Sequence, residues 1–165
     1  MDDDIYGIKK WGDDILEVLD NGNIGLKNPF YPSYPSIDLI KIIESLNERG
    51  INCPVLLRIT DYLAFRIKQI NESFFKAIKE VRYKGYYKGV FPVKVNQQAQ
   101  VIDRIVDFGK EFDFGLEVGS KPELLIALAH DLSSESTIIC NGIKDKEFIN
   151  LAILSLKIGF KTILV

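Results

Sequence analysis

Apolar positions along this chain change their period from segment to segment, and each period predicts an element. In residues 12–27 two short apolar runs, "ILEVL" and "IGLK", flank Asp20-Asn21-Gly22-Asn23. An Asn-Gly between such runs predicts a β-hairpin. The next stretch, "KNPFYPSYPS", carries Pro29, Pro32 and Pro35 and predicts an extended, helix-free connector. From Ser36 the spacing turns helical. Leu39, Ile42, Ile43 and Leu46 share one face, and Gly50 can end that helix in a left-handed cap. "PVLLRI", residues 54–59, reads as a strand. Asp61 reads as the cap of a long helix reaching about Tyr83, its apolar side running from Leu63 through Ile67, Ile70 and Phe74 to Val81.

Beyond that helix the pattern becomes regular. "VFPVKVNQQ" opens as a β-branched strand, "QAQVIDRIVDFGK" is a helix, "FDFGLEV" a strand and "SKPELLIALAH" a helix. "STIICN" is a strand, "DKEFINLAILSLKIG" a helix and "KTILV" a last strand. The five strands centre near residues 57, 92, 116, 139 and 163, and after the first long step the repeat is about 23 to 24 residues. Such βα units predict an α/β fold with a parallel sheet and helices packed outside it. A doubly wound sheet would be complete with five strands, whereas a (β/α)8 TIM barrel takes about 250 residues. No GxGxxG follows the first strand, and the sequence stops on apolar "TILV". The expectation is therefore a parallel (β/α)8 barrel truncated after about five strands, preceded by a short N-terminal hairpin. Residues 1–35 would be the hairpin and Pro-rich connector, and 36–165 the first part of the barrel.

A lysine in the middle of a strand raises a chemical question. If the strand runs through residue 96, Val90, Pro92, Lys94 and Asn96 point one way and Phe91, Val93 and Val95 the other. Lys94 would then face the barrel interior near the C-terminal strand end, where loops of this architecture build active sites. Pro92 argues against a central strand, because it donates no ladder hydrogen bond. The same parity turns Gly115 and Glu117 to one face and Phe114, Leu116 and Val118 to the other. An amine and a carboxylate at similar heights on adjacent strands permit two readings. One is a structural ion pair. The other is a nucleophilic lysine, since partial burial favours the neutral amine that attacks carbonyls.

Composition narrows the classes. With 165 residues and 47% apolar content the chain can bury a real core. Its net charge is −2, and its 21 Lys and Arg residues form no basic block, so no nucleic-acid partner is expected. Met1-Asp2-Asp3-Asp4 is unlike a cationic signal peptide, and no apolar run could span a bilayer. A cytoplasmic protein with no membrane partner follows. Cys53 and Cys140 lie far apart and His130 is the one histidine. Neither a disulfide framework nor a metal site is indicated, and both thiols are expected reduced and buried.

Several blocks in order, "GVFPVKVNQQAQVI", "FGLEVGSKPELL" and "IICNGIKDKEFINLAI", resemble consecutive segments of the biosynthetic arginine decarboxylases. "YGIKKWGDD" and the hairpin after it are similar to the start of that family, so the resemblance spans nearly the whole chain. These are barrel-type pyridoxal 5'-phosphate (PLP) enzymes of alanine racemase-like fold. The resemblance implies PLP-dependent decarboxylation of L-arginine to agmatine and CO2 in polyamine (spermidine) biosynthesis, with magnesium as a second cofactor and a homo-oligomer at full length.

Carried over by position, the resemblance makes Lys94 the lysine that holds PLP covalently and Glu117 the acidic group beside it. Asn141 in "CNG" would stand at the active face, although an Asn-Gly there also makes a turn. Glu123 matches a second acidic position. A local explanation competes, because Ser120-Lys121-Pro122-Glu123 is a capping box. His130 falls on the outer helical layer and is not the family's ring-stacking imidazole, which belongs to a later strand. The family's phosphate cradle, pyridinium partner and substrate-reading residues also lie on later segments. The chain is thus expected to be an N-terminal portion, inactive alone. A non-catalytic PLP-binding barrel, another barrel-type amino-acid decarboxylase and a cofactor-free α/β module are the alternatives.

Overall fold

The computed structural model describes residues 5–165, so the acidic start lies outside the described residues. Two compact units divide after Tyr62. In the first, helix α1 (Ile8–Trp11) precedes strands β1 (Leu16–Val18), β2 (Ile24–Leu26) and β3 (Ile37–Asp38), followed by helix α2 (Leu39–Glu48). The Asn-Gly turn forms as expected, closed by Leu19 N–H to the Asn23 carbonyl at 2.9 Å. The proline-rich connector is helix-free and returns beside the hairpin, where β3 pairs antiparallel with β2. This third strand was not legible, because two residues are too few to show a period.

Asp38 explains why the connector ends there. Its carboxylate accepts the Ile40 and Lys41 N–H groups that open α2, and also the side-chain amides of Asn23 and Asn21 in the hairpin turn. Those bonds, Asn23 first, hold its carboxyl below the usual range. Gly50 takes the left-handed conformation expected after α2, with φ +77°.

Two expectations fail in this unit. Residues 54–59 form no strand, and Leu56 is exposed. An apolar run states a preference for burial, but a strand also needs a partner for its backbone groups, and these residues have no ladder. Cys53 is exposed rather than buried, while Cys140 is buried; both are free thiols.

The second unit carries the regular repeat. Helix α3 (Thr60–Glu80) leads into β4 (Val90–Pro92), α4 (Ala99–Gly109), β5 (Gly115–Val118), α5 (Lys121–Leu128), β6 (Thr137–Cys140), α6 (Lys146–Lys157) and β7 (Lys161–Leu164). Because α3 starts at Thr60, Asp61 sits within its first turn instead of capping it. Its apolar side is only partly used: Ile67 and, unexpectedly, Asn71 are buried, whereas Ile70, Phe74 and Val81 are exposed. Asn71 donates to the Ile67 carbonyl at 2.8 Å, while its Oδ1 is buried without a hydrogen-bond partner.

The four strands are parallel and lie in sequence order, β4-β5-β6-β7. Five strands were expected and four form, the loss being residues 54–59. Leu116, Val118, Ile138 and Cys140 are fully buried in one core with Ile102, Ile105, Leu124, Ala127, Phe148 and Ala152 of the helices. The period of two therefore turns Glu117 and Ile139 to the opposite face of the sheet. At the amino-terminal strand ends, Asp113 binds Lys88 Nζ at 2.7 Å and the Ser133 hydroxyl at 2.6 Å, and Lys161 pairs with Glu135. Among the described residues no helix is long and apolar enough to cross a membrane.

Candidate active site

Pro92 is the last residue of β4, and it pairs in register with Glu117 of β5. Without an N–H it cannot extend the ladder, and the chain turns at once. Val93–Val95 form a single 3-10 turn, closed by Asn96 N–H to the Val93 carbonyl at 3.1 Å. Lys94 is therefore on this turn and not within the strand, which corrects the parity argument that placed it. Val93 is completely buried and anchors the turn, while the Lys94 side chain is 60% exposed rather than partly buried. Leaving the strand is the physical reason: the side chain rises past the sheet's edge toward solvent.

Glu117 stands where the period of two puts it, with a side chain only 12% exposed and Pro92 and Ile139 as its ladder neighbours. Lys94 Nζ donates to Glu117 Oε1 at 3.4 Å. A tight charge-assisted bond of this type is about 2.7–2.9 Å. The amine is thus oriented by the carboxylate without being locked to it. A primary amine that is open to solvent on one side and steered by a shielded carboxylate on the other can condense with an aldehyde.

Asn141 is exposed and follows β6 directly, at the same end of the sheet. Its N–H donates to the Val118 carbonyl at 2.8 Å, which ties the end of β6 to the end of β5. The next contact is closer still. Gly142 has φ +137°, and a Cβ there would lie 2.3 Å from the Gly119 carbonyl oxygen. A Cβ on Gly119 would come within 3.1 Å of the Asn141 carbonyl. The two loops meet backbone against backbone, and at Gly142 only glycine permits it. Sequence reading missed this pair; its signal was a glycine shortly after each strand, in "EVGS" and "CNGI".

The capping box forms with a shift. Ser120 Oγ accepts the Glu123 N–H at 3.4 Å and donates to Glu123 Oε1 at 3.1 Å, while Glu123 Oε2 accepts the Gly119 N–H at 2.8 Å. The carboxylate thus serves the residue before the cap. Asp145 caps α6 through the Phe148 N–H at 2.8 Å, and that bond, with help from Lys121, holds its carboxyl below the usual range. Lys121 joins the two helix starts by binding Glu147 at 2.7 Å and Asp145 at 3.1 Å. Burial raises the Cys140 thiol above its ordinary value, so this side chain is an inert part of the core. His130 lies after α5 on the outer layer, between the Ile126 carbonyl (2.6 Å) and Asp103 (3.0 Å). Among the described residues there is no group of three or more His, Cys, Asp or Glu side chains able to hold a metal ion.

Comparison with known proteins adds four findings. Residues 67–162 match the family described as pyridoxal-dependent decarboxylase, pyridoxal binding domain. The chain is 48% identical over 160 residues to a biosynthetic arginine decarboxylase of Prochlorococcus marinus (strain MIT 9301), an alignment covering 97% of this chain and 24% of that protein. It is 45% identical over 156 residues to the biosynthetic arginine decarboxylase of Gloeobacter violaceus, covering 94% of this chain and 24% of that one. The crystal structure of the biosynthetic arginine decarboxylase SpeA from Campylobacter jejuni superposes with a TM-score of 0.87 at 34% identity, over 99% of this chain and 26% of that one. The chain thus spans about a quarter of the length of the curated relatives it matches.

Proposed function

This chain belongs to the pyridoxal-dependent decarboxylase family, and from that premise we propose that Lys94 and Glu117 hold the aldehyde end of PLP in an enzyme that decarboxylates L-arginine to agmatine. The observation that carries the reading is the Lys94–Glu117 pair at 3.4 Å, on the ends of adjacent parallel strands. The residues fit the cofactor by their chemistry: an exposed primary amine, steered but not locked, is what an aldehyde requires. When bound, PLP supplies an electron sink for the electron pair left at Cα as CO2 departs.

The protein's own part is positional. Glu117 accepts a hydrogen bond from Lys94 Nζ and so fixes the direction of the amine. Lys94 would give up that contact on holding the cofactor, and its Nζ could deliver a proton to the substrate carbon from which CO2 has left. Glu117 is flanked on its ladder by Pro92 and Ile139, and its side chain is only 12% exposed. Asn141 lines the same end of the sheet and is proposed as a further cofactor contact.

The wider reading is a truncated (β/α)8 barrel of the alanine racemase-like type, part of a cytoplasmic, homo-oligomeric enzyme of polyamine synthesis. The structural likeness supports the barrel, and the relatives' names support the decarboxylase. Magnesium, which the resemblance implies, is assigned no residue of this chain, since among the described residues no three His, Cys, Asp or Glu side chains stand together. On this reading the 165 residues alone make no agmatine. Titrating the chain with PLP and recording the visible spectrum tests the site. A new absorption band is expected with the native chain and not with Lys94→Ala, and an equal band in both overturns the assignment.

A further inference from the structure

The segment that follows Glu117 is bound by a second carboxylate, that of Glu123. Glu123 is half-buried in the first turn of α5, and its two oxygens are both committed. Oε2 accepts the Gly119 N–H at 2.8 Å and Oε1 accepts the Ser120 hydroxyl at 3.1 Å. An ordinary capping box would return its carboxylate to the N–H of the cap residue, here Ser120. This one reaches one residue further back, into the segment that joins Glu117 to the helix.

That segment is also the one on which the neighbouring loop rests. Val118 takes the Asn141 N–H, and Gly119 meets Gly142 so closely that a Cβ on the latter would lie 2.3 Å from the Gly119 oxygen. The turn at residues 118–120 therefore has two neighbours, the end of β6 on one side and the Glu123 carboxylate on the other. Releasing the carboxylate frees the Gly119 N–H, and the glycine backbone has no side chain to keep it in place.

We propose that Glu123 is a positioning residue of the cofactor site, locking through the Gly119 N–H the backbone joint that aligns Glu117 with Asn141. It acts by the reach of Oε2 to the Gly119 N–H, not by its charge. The proposal rests on the reading of Lys94 as the cofactor lysine, so the test has one arm that needs PLP and one that does not.

In the first arm the amide hydrogen exchange of Gly119 and Asn141 is followed by NMR without cofactor. Glu123→Ala accelerates exchange at both by about tenfold or more, the size expected when a backbone donor loses its acceptor. In the second arm PLP is titrated by visible absorption, and Glu123→Ala weakens binding about tenfold. Glu123→Gln retains an acceptor for Gly119 and stays close to the native chain in both arms. Glu123→Asp keeps the charge but loses the reach, and behaves like the alanine variant; it also serves if the alanine variant does not fold. Ser120→Ala lowers the melting temperature by removing the cap, yet leaves Gly119 exchange and PLP binding within about twofold of native.

Three results overturn the proposal: native exchange at Gly119 in Glu123→Ala, loss in Glu123→Gln equal to that in Glu123→Ala, or equal loss in Ser120→Ala. Failure of the native chain to bind PLP contradicts the cofactor reading alone, because the exchange arm still decides the joint.

Discussion

Replacing Glu117 with Gln separates a structural ion pair from a functional one. At 3.4 Å and an effective dielectric of about 20, two unit charges attract by about 5 kcal/mol. Most of that is not available to folding, because the Lys94 side chain is 60% exposed and exchanges the contact for hydration when the pair breaks. A net contribution of about 0.5–1 kcal/mol remains. Glu117→Gln should therefore lower the melting temperature by about 5 °C or less. The effect on cofactor binding is larger. Loss of a charge-assisted bond that steers the amine should weaken PLP binding about tenfold. Urea melts of apo protein and PLP titration of the same preparations measure the two together. A loss of several kcal/mol in stability with unchanged PLP binding would refute the reasoning and leave the pair as a structural salt bridge.

Acid should loosen the amino-terminal strand ends before the core fails. Asp113 is held below the usual carboxyl range by its bonds to Lys88 first and Ser133 next. A depressed folded value means that its stabilisation is present above the unfolded value of about 3.9 and disappears as pH falls through the folded one. Melting temperatures between pH 6 and pH 3 should drop less steeply for Asp113→Asn than for the native chain; parallel curves would contradict this. Gly142→Ala should cost about 1–3 kcal/mol, since its φ of +137° and the Gly119 oxygen both oppose a side chain. A denaturant midpoint equal to that of the native chain would show that the two loops part easily.

The regular part of the fold was legible because its signals are local. The strands around Leu116, Ile138 and Ile163 announce themselves as short apolar runs, α6 by its period, and α5 and α6 by their caps Ser120 and Asp145. Residues 54–59 carry the same apolar signal, yet whether a strand forms depends on a partner that no local pattern names. The candidate pair was reached by an argument that was half correct. Period two placed Glu117 on the face away from the helices, and it does stand there. The same rule applied to Lys94 assumed a strand that Pro92 ends; the lysine meets Glu117 because Pro92 and Glu117 are in register. The Gly119–Gly142 contact joins residues from two loops, so only the tertiary structure reveals why residue 142 is glycine. Asn71 breaks the apolar stripe of α3 and is nonetheless buried; its amide nitrogen finds a carbonyl one turn earlier, while its Oδ1 finds none.

The central claim is that one lysine among many is set apart by its place beside Glu117. Reducing a mixture of the chain and substoichiometric PLP with borohydride, then mapping the modified peptides by mass spectrometry, tests it most directly. The account predicts the phosphopyridoxyl group on Lys94 well ahead of every other lysine. Labelling spread over the surface lysines, with Lys94 modified no more than they are, would contradict it.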